Sequence, residues 1–181
     1  MIEIDTNINR VIVRRGYNTN TISWKEAFYN LNDSISKSSN NNESVRKVRL
    51  LPSFKIGNRR FVDGTNIEEV IRNNIGYFVS YNAERISLVP DVLNDLGCLV
   101  AHLYMAIEVT NPGFGRHNDQ EDVWFWQNKG ISRWDFDNGD SYTLNEGDLI
   151  YVPKGVYHKV STVEARFGIS MSLKKDGHWR G

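Results

Sequence analysis

The sequence has almost no cysteine and no excess of charge of either sign. Cys98 is the only cysteine among 181 residues, which excludes an intrachain disulfide and a cysteine cluster for zinc or iron–sulfur. It lies in an apolar run, which predicts a buried, unreactive thiol. Lys and Arg number 22 and so do Asp and Glu. This balance excludes the broad cationic field that duplex nucleic acid or an anionic membrane would attract, although a local basic groove stays possible.

Long apolar runs are absent too. No segment approaches the roughly 20 apolar residues of a membrane helix, and the acidic residues 1–5 lack the basic and apolar regions of a signal peptide. We therefore expect a soluble, cytoplasmic protein. With 40% hydrophobic and 12% aromatic residues, the chain can form one structural domain with an ordinary core. We expect residues 1–97 to support the core domain at 98–173, with 174–181 as a short tail.

Helix signals are concentrated in the first half of the chain. Ser23–Glu26 is a capping box followed by apolar residues at one-face helical spacing, which predicts a helix. A second capping box at Thr65–Glu68 predicts another helix, and a short third helix is predicted from Pro90 to Gly97. The polar residues 32–43 predict a mobile loop, either a solvated insertion or a flap over a substrate.

From Cys98 onward the pattern changes to short β-rich runs separated by turn residues. Asp137–Asp140 is a strong hairpin signal. The absence of helical patterns between the runs argues against parallel βαβ units. It favours a mainly β fold, an antiparallel double-stranded β-helix or jelly roll, with amino-terminal helices packed on one sheet. The tryptophans of these runs are expected in the core and not in a nucleic-acid stacking platform. The predicted strands are Leu99–Val109, Val123–Gln127, Ile131–Phe136, Asp148–Val152 and Ala165–Leu173.

Two histidines and one carboxylate form a candidate metal site. His117 and Asp119 are two residues apart, so on an extended strand both side chains leave the same face. His158 would complete the set of two histidines and one carboxylate that holds non-haem Fe(II) and leaves coordination positions open. The H-x-D pair alone is a weak signal, because such spacings occur by chance. We expect His102 to be a structural histidine, since the triad is complete without it.

The surroundings of His158 make the signal more specific. Gly147, Pro153, Gly155 and His158 follow the second cupin motif, in which a glycine, five residues, a proline, one residue, a glycine and two residues precede a histidine. The physical logic is a strand that begins at a glycine turn and stops at proline, after which a second glycine turns the histidine into the barrel mouth. On these motifs, residues 104–173 resemble the cupin superfamily and, within it, the JmjC-type Fe(II)- and 2-oxoglutarate-dependent oxygenases, including small bacterial ribosomal-protein hydroxylases.

The resemblance implies that His117, Asp119 and His158 bind Fe(II), and that 2-oxoglutarate and O2 are co-substrates. It implies hydroxylation of a substrate, which we expect to be a protein side chain. Nucleotide or small-molecule hydroxylation is an alternative, and so is a cupin that binds a metal or a ligand without oxidative turnover. We expect a monomer or a homodimer, with no membrane partner and no strong signal for nucleic acid.

The family pattern is broken at one position of the co-substrate pocket. Ser132 stands where such families have the lysine or arginine that binds the far carboxylate of 2-oxoglutarate, and serine can add a hydrogen bond but no charge. Arg166 is the candidate replacement, because it shares one small, polar face of the last strand with Ser170 and could clamp the carboxylate with two bonds. The alternative is an exposed arginine on that strand. Tyr104, on the strand before the metal loop, is a further candidate cofactor-binding residue together with Ser170.

Overall fold

The structure is a computed structural model that describes residues 10–38, 48–51, 60–62, 77–81, 83–107, 109 and 115–173. Within these ranges, neither α-helix has the length and apolarity needed to cross a membrane. The elements in chain order are β1 (Ile12–Arg14), α1 (Trp24–Ser38), β2 (Val48–Leu51), β3 (Arg60–Val62), β4 (Tyr77–Tyr81), a 3-10 turn (Ala83–Arg85), α2 (Val89–Leu96), β5 (Val100–Ala106), β6 (Arg116–His117), β7 (Val123–Lys129), β8 (Ser132–Phe136), β9 (Ser141–Leu144), β10 (Leu149–Val152), β11 (His158–Thr162) and β12 (Arg166–Ser172).

Two antiparallel sheets face each other. The large sheet has eight strands in the order β1-β10-β7-β12-β5-β4-β2-β3, and the small sheet has four in the order β6-β11-β8-β9. Strands that are distant in sequence are neighbours, as in β12 between β5 and β7, which is the crossover pattern of a jelly roll. The predicted fold class is confirmed. Strands β1 and β4 also join the large sheet, through β10 and β5.

Side-chain alternation divides the core into two layers. On β12, Phe167, Ile169 and Met171 belong to the apolar cluster between the large sheet and the helices. The residues between them face the small sheet, because successive side chains on a strand point to opposite faces. A second cluster, which includes Tyr104 and Trp134, fills the space between the two sheets and is called the barrel interior below. The helices therefore pack on one sheet, as predicted.

Helix α1 starts at the predicted capping box. The Glu26 backbone amide donates to the Ser23 hydroxyl at 3.2 Å, and the Ser23 amide donates to the Glu26 carboxylate at 3.0 Å. The expected loop over residues 32–43 is wrong for residues 32–38, because α1 continues to Ser38. Asn, Ser and Lys cost only tenths of a kcal/mol each in a helix, so a capped helix propagates through them. Residues 39–43 and the second capping box at 65–68 lie outside the described residues.

The other sequence expectations for the core are met. Helix α2 spans Val89–Leu96, close to the predicted range. Cys98 is buried, and burial raises the pKa of its thiol to about 12, so the thiol stays protonated and unreactive. The tryptophans of the predicted strands are core residues and not a stacking surface, since Trp124, Trp126 and Trp134 are each at most 5% exposed.

Candidate metal centre

The three predicted metal ligands converge at one end of the barrel. His117 belongs to β6 and His158 is the first residue of β11, and the two are directly opposite in the antiparallel pair. Their ring centroids lie 4.4 Å apart. Asp119 follows in the loop after β6. One ligand atom from each of the three side chains lies within 4.8 Å of the others.

The turn of the cupin motif and the metal loop are tied together. The Gly155 backbone amide donates a hydrogen bond to the Asp119 carbonyl oxygen at 2.9 Å, and the Val156 amide closes the turn onto the Pro153 carbonyl at 3.2 Å. The motif therefore does two things. It begins β11 at His158, and it fixes the backbone of the segment that carries the carboxylate ligand.

Hydrogen bonds to carbonyl groups orient both imidazole rings. His117 Nδ1 lies 3.1 Å from the Gly115 carbonyl oxygen, and His158 Nδ1 lies 3.0 Å from the Val156 carbonyl oxygen. A carbonyl oxygen only accepts, so in the neutral rings the proton is assigned to Nδ1, and Nε2 keeps its lone pair. His158 Nε2 lies 3.8 Å from Asp119 Oδ2. The His158 Nε2 lone pair can thus reach an ion beside the carboxylate.

The electrostatics of His158 favour the form that binds a metal. Burial lowers the pKa of His158, the nearby His117 lowers it further, and these effects outweigh the opposing ones of the Val156 carbonyl and Asp119. The side chain is 2% exposed, so a charged imidazolium would be poorly solvated there. At neutral pH the ring is therefore uncharged, which is the form that can donate a lone pair to a metal ion.

The donor set fits Fe(II). Bonds from a divalent transition metal to imidazole nitrogen or carboxylate oxygen are about 2.0–2.2 Å long, so donors about 90° apart on one face of an ion lie about 3 Å from each other. The ligand atoms of the three side chains lie within 4.8 Å of one another, so a movement of about 1 Å by each side chain brings them to that separation. Two histidines and one carboxylate on one side of an ion leave positions open for a co-substrate and dioxygen, the arrangement of non-haem iron oxygenases.

Ser132 lies in the barrel interior but its hydroxyl already has partners. Its Oγ donates to the Gln127 side-chain oxygen at 2.7 Å and accepts from the Trp134 indole N–H at 3.1 Å. A hydroxyl has a single proton to donate. In this arrangement Ser132 therefore has no proton left to donate to a ligand carboxylate. The predicted hydrogen bond from Ser132 to the co-substrate is not available here.

Arg166 is buried in the barrel interior with part of its guanidinium unpartnered. It is 1% exposed, so the alternative of a surface arginine is wrong. Nε donates to the Thr162 hydroxyl and Nη2 to the Tyr77 hydroxyl, both at 3.3 Å, while buried Nη1 has no hydrogen-bond partner. The guanidinium carbon lies 5.5 Å from the Tyr77 ring centre and 5.9 Å from that of Phe125. No carboxylate of the described residues lies within 4.0 Å of it.

The guanidinium and the triad occupy different levels of the same barrel interior. His158 and Thr162 begin and end β11, and four residues of strand span about 13 Å. Tyr104 lies between these levels, opposite Gly168 in the β5–β12 pair, and its ring centre is 6.3 Å from that of Phe125. Ser170 is half-buried and is two positions nearer the triad end of β12. All four predicted co-substrate residues thus lie on the inner faces of the two sheets.

Sequence reasoning missed the two hydroxyl groups that hold Arg166. Tyr77 lies in the β-rich run Tyr77–Tyr81, which was a detectable strand signal. Thr162 is four residues after His158, so the alternation of a strand starting at that histidine would have placed it on the inner face.

No protein-family model and no curated protein matches this chain. Solved structures of YcfD, a ribosomal oxygenase from Escherichia coli, do match. The complex of YcfD with cobalt and 2-oxoglutarate has a TM-score of 0.66 at 19% identity, and the match covers 93% of this chain and 49% of that chain. The complex with cobalt and succinic acid gives a TM-score of 0.65 at 18% identity, with the same coverage.

The present chain thus spans about half the length of these YcfD structures. Identity this low establishes the fold and not the activity. The resemblance predicted from the motifs is confirmed at that level: this chain has the fold of the YcfD ribosomal oxygenase, in a match that covers 93% of the chain.

Proposed function

We propose that the chain is an Fe(II)- and 2-oxoglutarate-dependent oxygenase that hydroxylates a protein side chain. The observation that carries this proposal is the presence, in one barrel interior, of a facial triad and a buried guanidinium whose Nη1 has no hydrogen-bond partner. Burying a charge without a counter-charge costs several kcal/mol. The position of Arg166 is best explained by an anionic ligand that binds between it and the metal.

The chemistry of 2-oxoglutarate matches this arrangement. Its 2-oxo acid end is a chelating group for a divalent metal, and its far carboxylate, at the other end of the five-carbon chain, needs a cation. Arg166 Nη1 is the free donor, and Nε is held by Thr162. We propose that Nη1 and the second proton of Nη2 bind the far carboxylate end-on. Tyr104 and Ser170 would then line the space along the ligand.

The proposed reaction converts 2-oxoglutarate, O2 and a substrate C–H bond to succinate, CO2 and a C–OH group. Fe(II) would supply the oxygen-activating chemistry when bound at His117, Asp119 and His158. The chain's own residues keep three ligands on one side of the ion and bind the far carboxylate. The aromatic lining of the barrel, which includes Tyr104 and Trp134, excludes water from the reacting atoms.

The proposal of a protein substrate is supported by the shared fold with a protein described as a ribosomal oxygenase. We propose that the enzyme acts in the cytoplasm, where ribosomal proteins are available. The pairing of β4 with β5 and of β1 with β10 supports residues 1–97 and 98–173 acting as one structural domain.

The first test is an anaerobic titration of metal-free protein with Fe(II) and then with 2-oxoglutarate. We expect the visible charge-transfer band of the metal–2-oxo acid chelate, and we expect His117→Ala to abolish it. Iron binding without that band would contradict the proposal and leave a non-oxidative metal-binding cupin.

The second test adds oxygen and measures succinate together with the mass of candidate substrates. A ribosomal-protein fraction should gain one oxygen atom in mass, in step with succinate. A gain confined to a nucleotide or small-molecule fraction would replace the proposed substrate class and keep the reaction.

A further inference from the structure

We propose that Ser132 is a positioning residue for the metal centre, acting through Trp134 on the ligand His158. The buried side chains of Gln127, Ser132 and Trp134 form a hydrogen-bonded relay that begins at the Lys129–Gly130 turn. This inference rests on the proposed function only in requiring that the triad binds a divalent metal. The inference assigns a role to Ser132, the residue at which the chain departs from the family pattern.

The first half of the relay is anchored to backbone. The Gln127 amide nitrogen donates to the carbonyl oxygens of Lys129 at 2.7 Å and Gly130 at 3.3 Å. A side-chain carbon at Gly130 would overlap the Ala165 carbonyl, so the turn is packed closely against the start of β12. With its nitrogen held by the turn, the Gln127 side-chain oxygen faces Ser132 and accepts the hydroxyl proton at 2.7 Å.

The second half of the relay reaches the metal ligand. The proton of Ser132 points to Gln127, so its lone pairs are free to accept the Trp134 indole N–H at 3.1 Å. The indole ring stacks on the His158 imidazole, with ring centres 5.3 Å apart and planes inclined by 23°. The hydrogen bond fixes the rotation of the indole, and the stacked indole fixes the plane of the imidazole.

Two contacts together define where His158 Nε2 points. The Val156 carbonyl oxygen holds Nδ1 at 3.0 Å, which fixes one edge of the ring. Stacking on Trp134 fixes rotation about that edge. Groups that orient a metal-bound histidine in this way change metal affinity by about 10- to 100-fold when they are removed.

Trp126 shows that burial alone does not demand this bond. It is fully buried in the layer between the large sheet and the helices, and its indole nitrogen has no hydrogen-bond partner. A buried, unpartnered indole is therefore tolerated elsewhere in this fold. Trp134, which stacks on the proposed metal ligand His158, differs from Trp126 in that its indole N–H donates a hydrogen bond, to Ser132.

The test uses Ser132→Ala and Trp134→Phe, each with a matched control. Ser141→Ala removes a serine hydroxyl that bonds Asp135 outside the barrel, and Trp126→Phe removes an indole that makes no hydrogen bond. The measurements are the Kd for Co(II), the ligand-field spectrum of the Co(II) protein, and urea unfolding of the metal-free protein.

We expect the two relay variants to bind Co(II) about 10-fold more weakly than the wild type and to show altered Co(II) spectra. The control variants should have the Kd for Co(II) and the Co(II) spectrum of the wild type. Ser132→Thr should also keep both, because threonine retains the hydroxyl. Relay variants that lose stability but keep the wild-type Kd and spectrum would overturn the inference. If Ser132→Ala does not fold, Trp134→Phe decides. Wild-type protein that binds no Co(II) would instead overturn the proposed function.

Discussion

Replacing Arg166 with methionine is expected to weaken ligand binding without lowering the stability of the ligand-free protein. The guanidinium is 1% exposed and has two hydrogen bonds of 3.3 Å to hydroxyl groups, but no counter-charge among the described residues. Methionine keeps much of the side-chain length and removes the charge. If Arg166 is present to bind an anion, the ligand-free protein should tolerate its loss well and the ligand-bound protein should not.

The magnitudes follow from the contacts. Two hydrogen bonds to neutral groups contribute about 1 kcal/mol each, and the aromatic contacts add about 1 kcal/mol, whereas desolvation of the cation costs several kcal/mol. We expect the free energy of unfolding of ligand-free Arg166→Met to be unchanged within about 1 kcal/mol, or raised. A lost bond to a charged carboxylate weakens 2-oxoglutarate binding by about 1.5–3 kcal/mol, or roughly 10- to 150-fold.

Urea unfolding with and without Mn(II) and 2-oxoglutarate measures both quantities. At 100 times the wild-type Kd, the co-substrate should add about 2.7 kcal/mol to the wild type, and about 0.9 kcal/mol to a variant that binds 30-fold more weakly. Arg133→Met is the matched control, because Arg133 is exposed and paired with Asp135. A variant at 166 that is strongly destabilised without ligand, yet gains the full wild-type increment with it, would refute this reasoning.

Three further predictions concern the triad, a buried carboxylate and a close approach of two strands. His117→Ala should abolish Co(II) binding in calorimetric titration, with little change in the Tm of the metal-free protein. Burial raises the pKa of Asp148, but hydrogen bonds from two backbone amides and Arg15 outweigh it and the pKa is lowered. The stabilisation that ionised Asp148 gives the folded protein is therefore fully present above the pKa of about 4 that the group has in the unfolded chain. It is lost as the pH falls through the lower pKa of the folded protein. Asp148→Asn should lose about 1–3 kcal/mol in urea at pH 7 and progressively less below pH 4; an equal loss at both would contradict this. Gly168→Ala should cost about 1–3 kcal/mol in urea unfolding, since the added carbon would overlap the Phe125 ring; an unchanged stability would contradict it.

The parts of the molecule that were predictable from sequence have local determinants. The capping box of α1 is complete within Ser23–Glu26, and the motif from Gly147 to His158 carries its own turns. Such signals need no knowledge of distant residues. The same reasoning failed at residues 32–38, because polar composition indicates exposure and does not by itself exclude a helix.

The environment of Arg166 shows why the other residues of the site could not be predicted from the sequence. Tyr77 is 89 residues away in sequence, and only the order of strands in the large sheet brings it to the guanidinium. The role of Ser132 has a different cause. Its partner Gln127 is five residues away, but only the facing of β7 and β8 into one interior reveals that the hydroxyl is already engaged.

The shortness of β6 has a kinetic consequence. β6 is two residues long and, among the strands that the structure describes, lies at an edge of the small sheet and pairs with β11 only. A strand with so few backbone hydrogen bonds opens at much lower free energy than the central strands of the large sheet. Because His117 is in β6, each opening would withdraw one of the three proposed metal ligands while the jelly roll stays folded. The rate of release of a bound ion should therefore follow the rate of amide hydrogen exchange at β6. Ion binding should slow exchange at β6. Exchange in β7 and β12 should still require global unfolding.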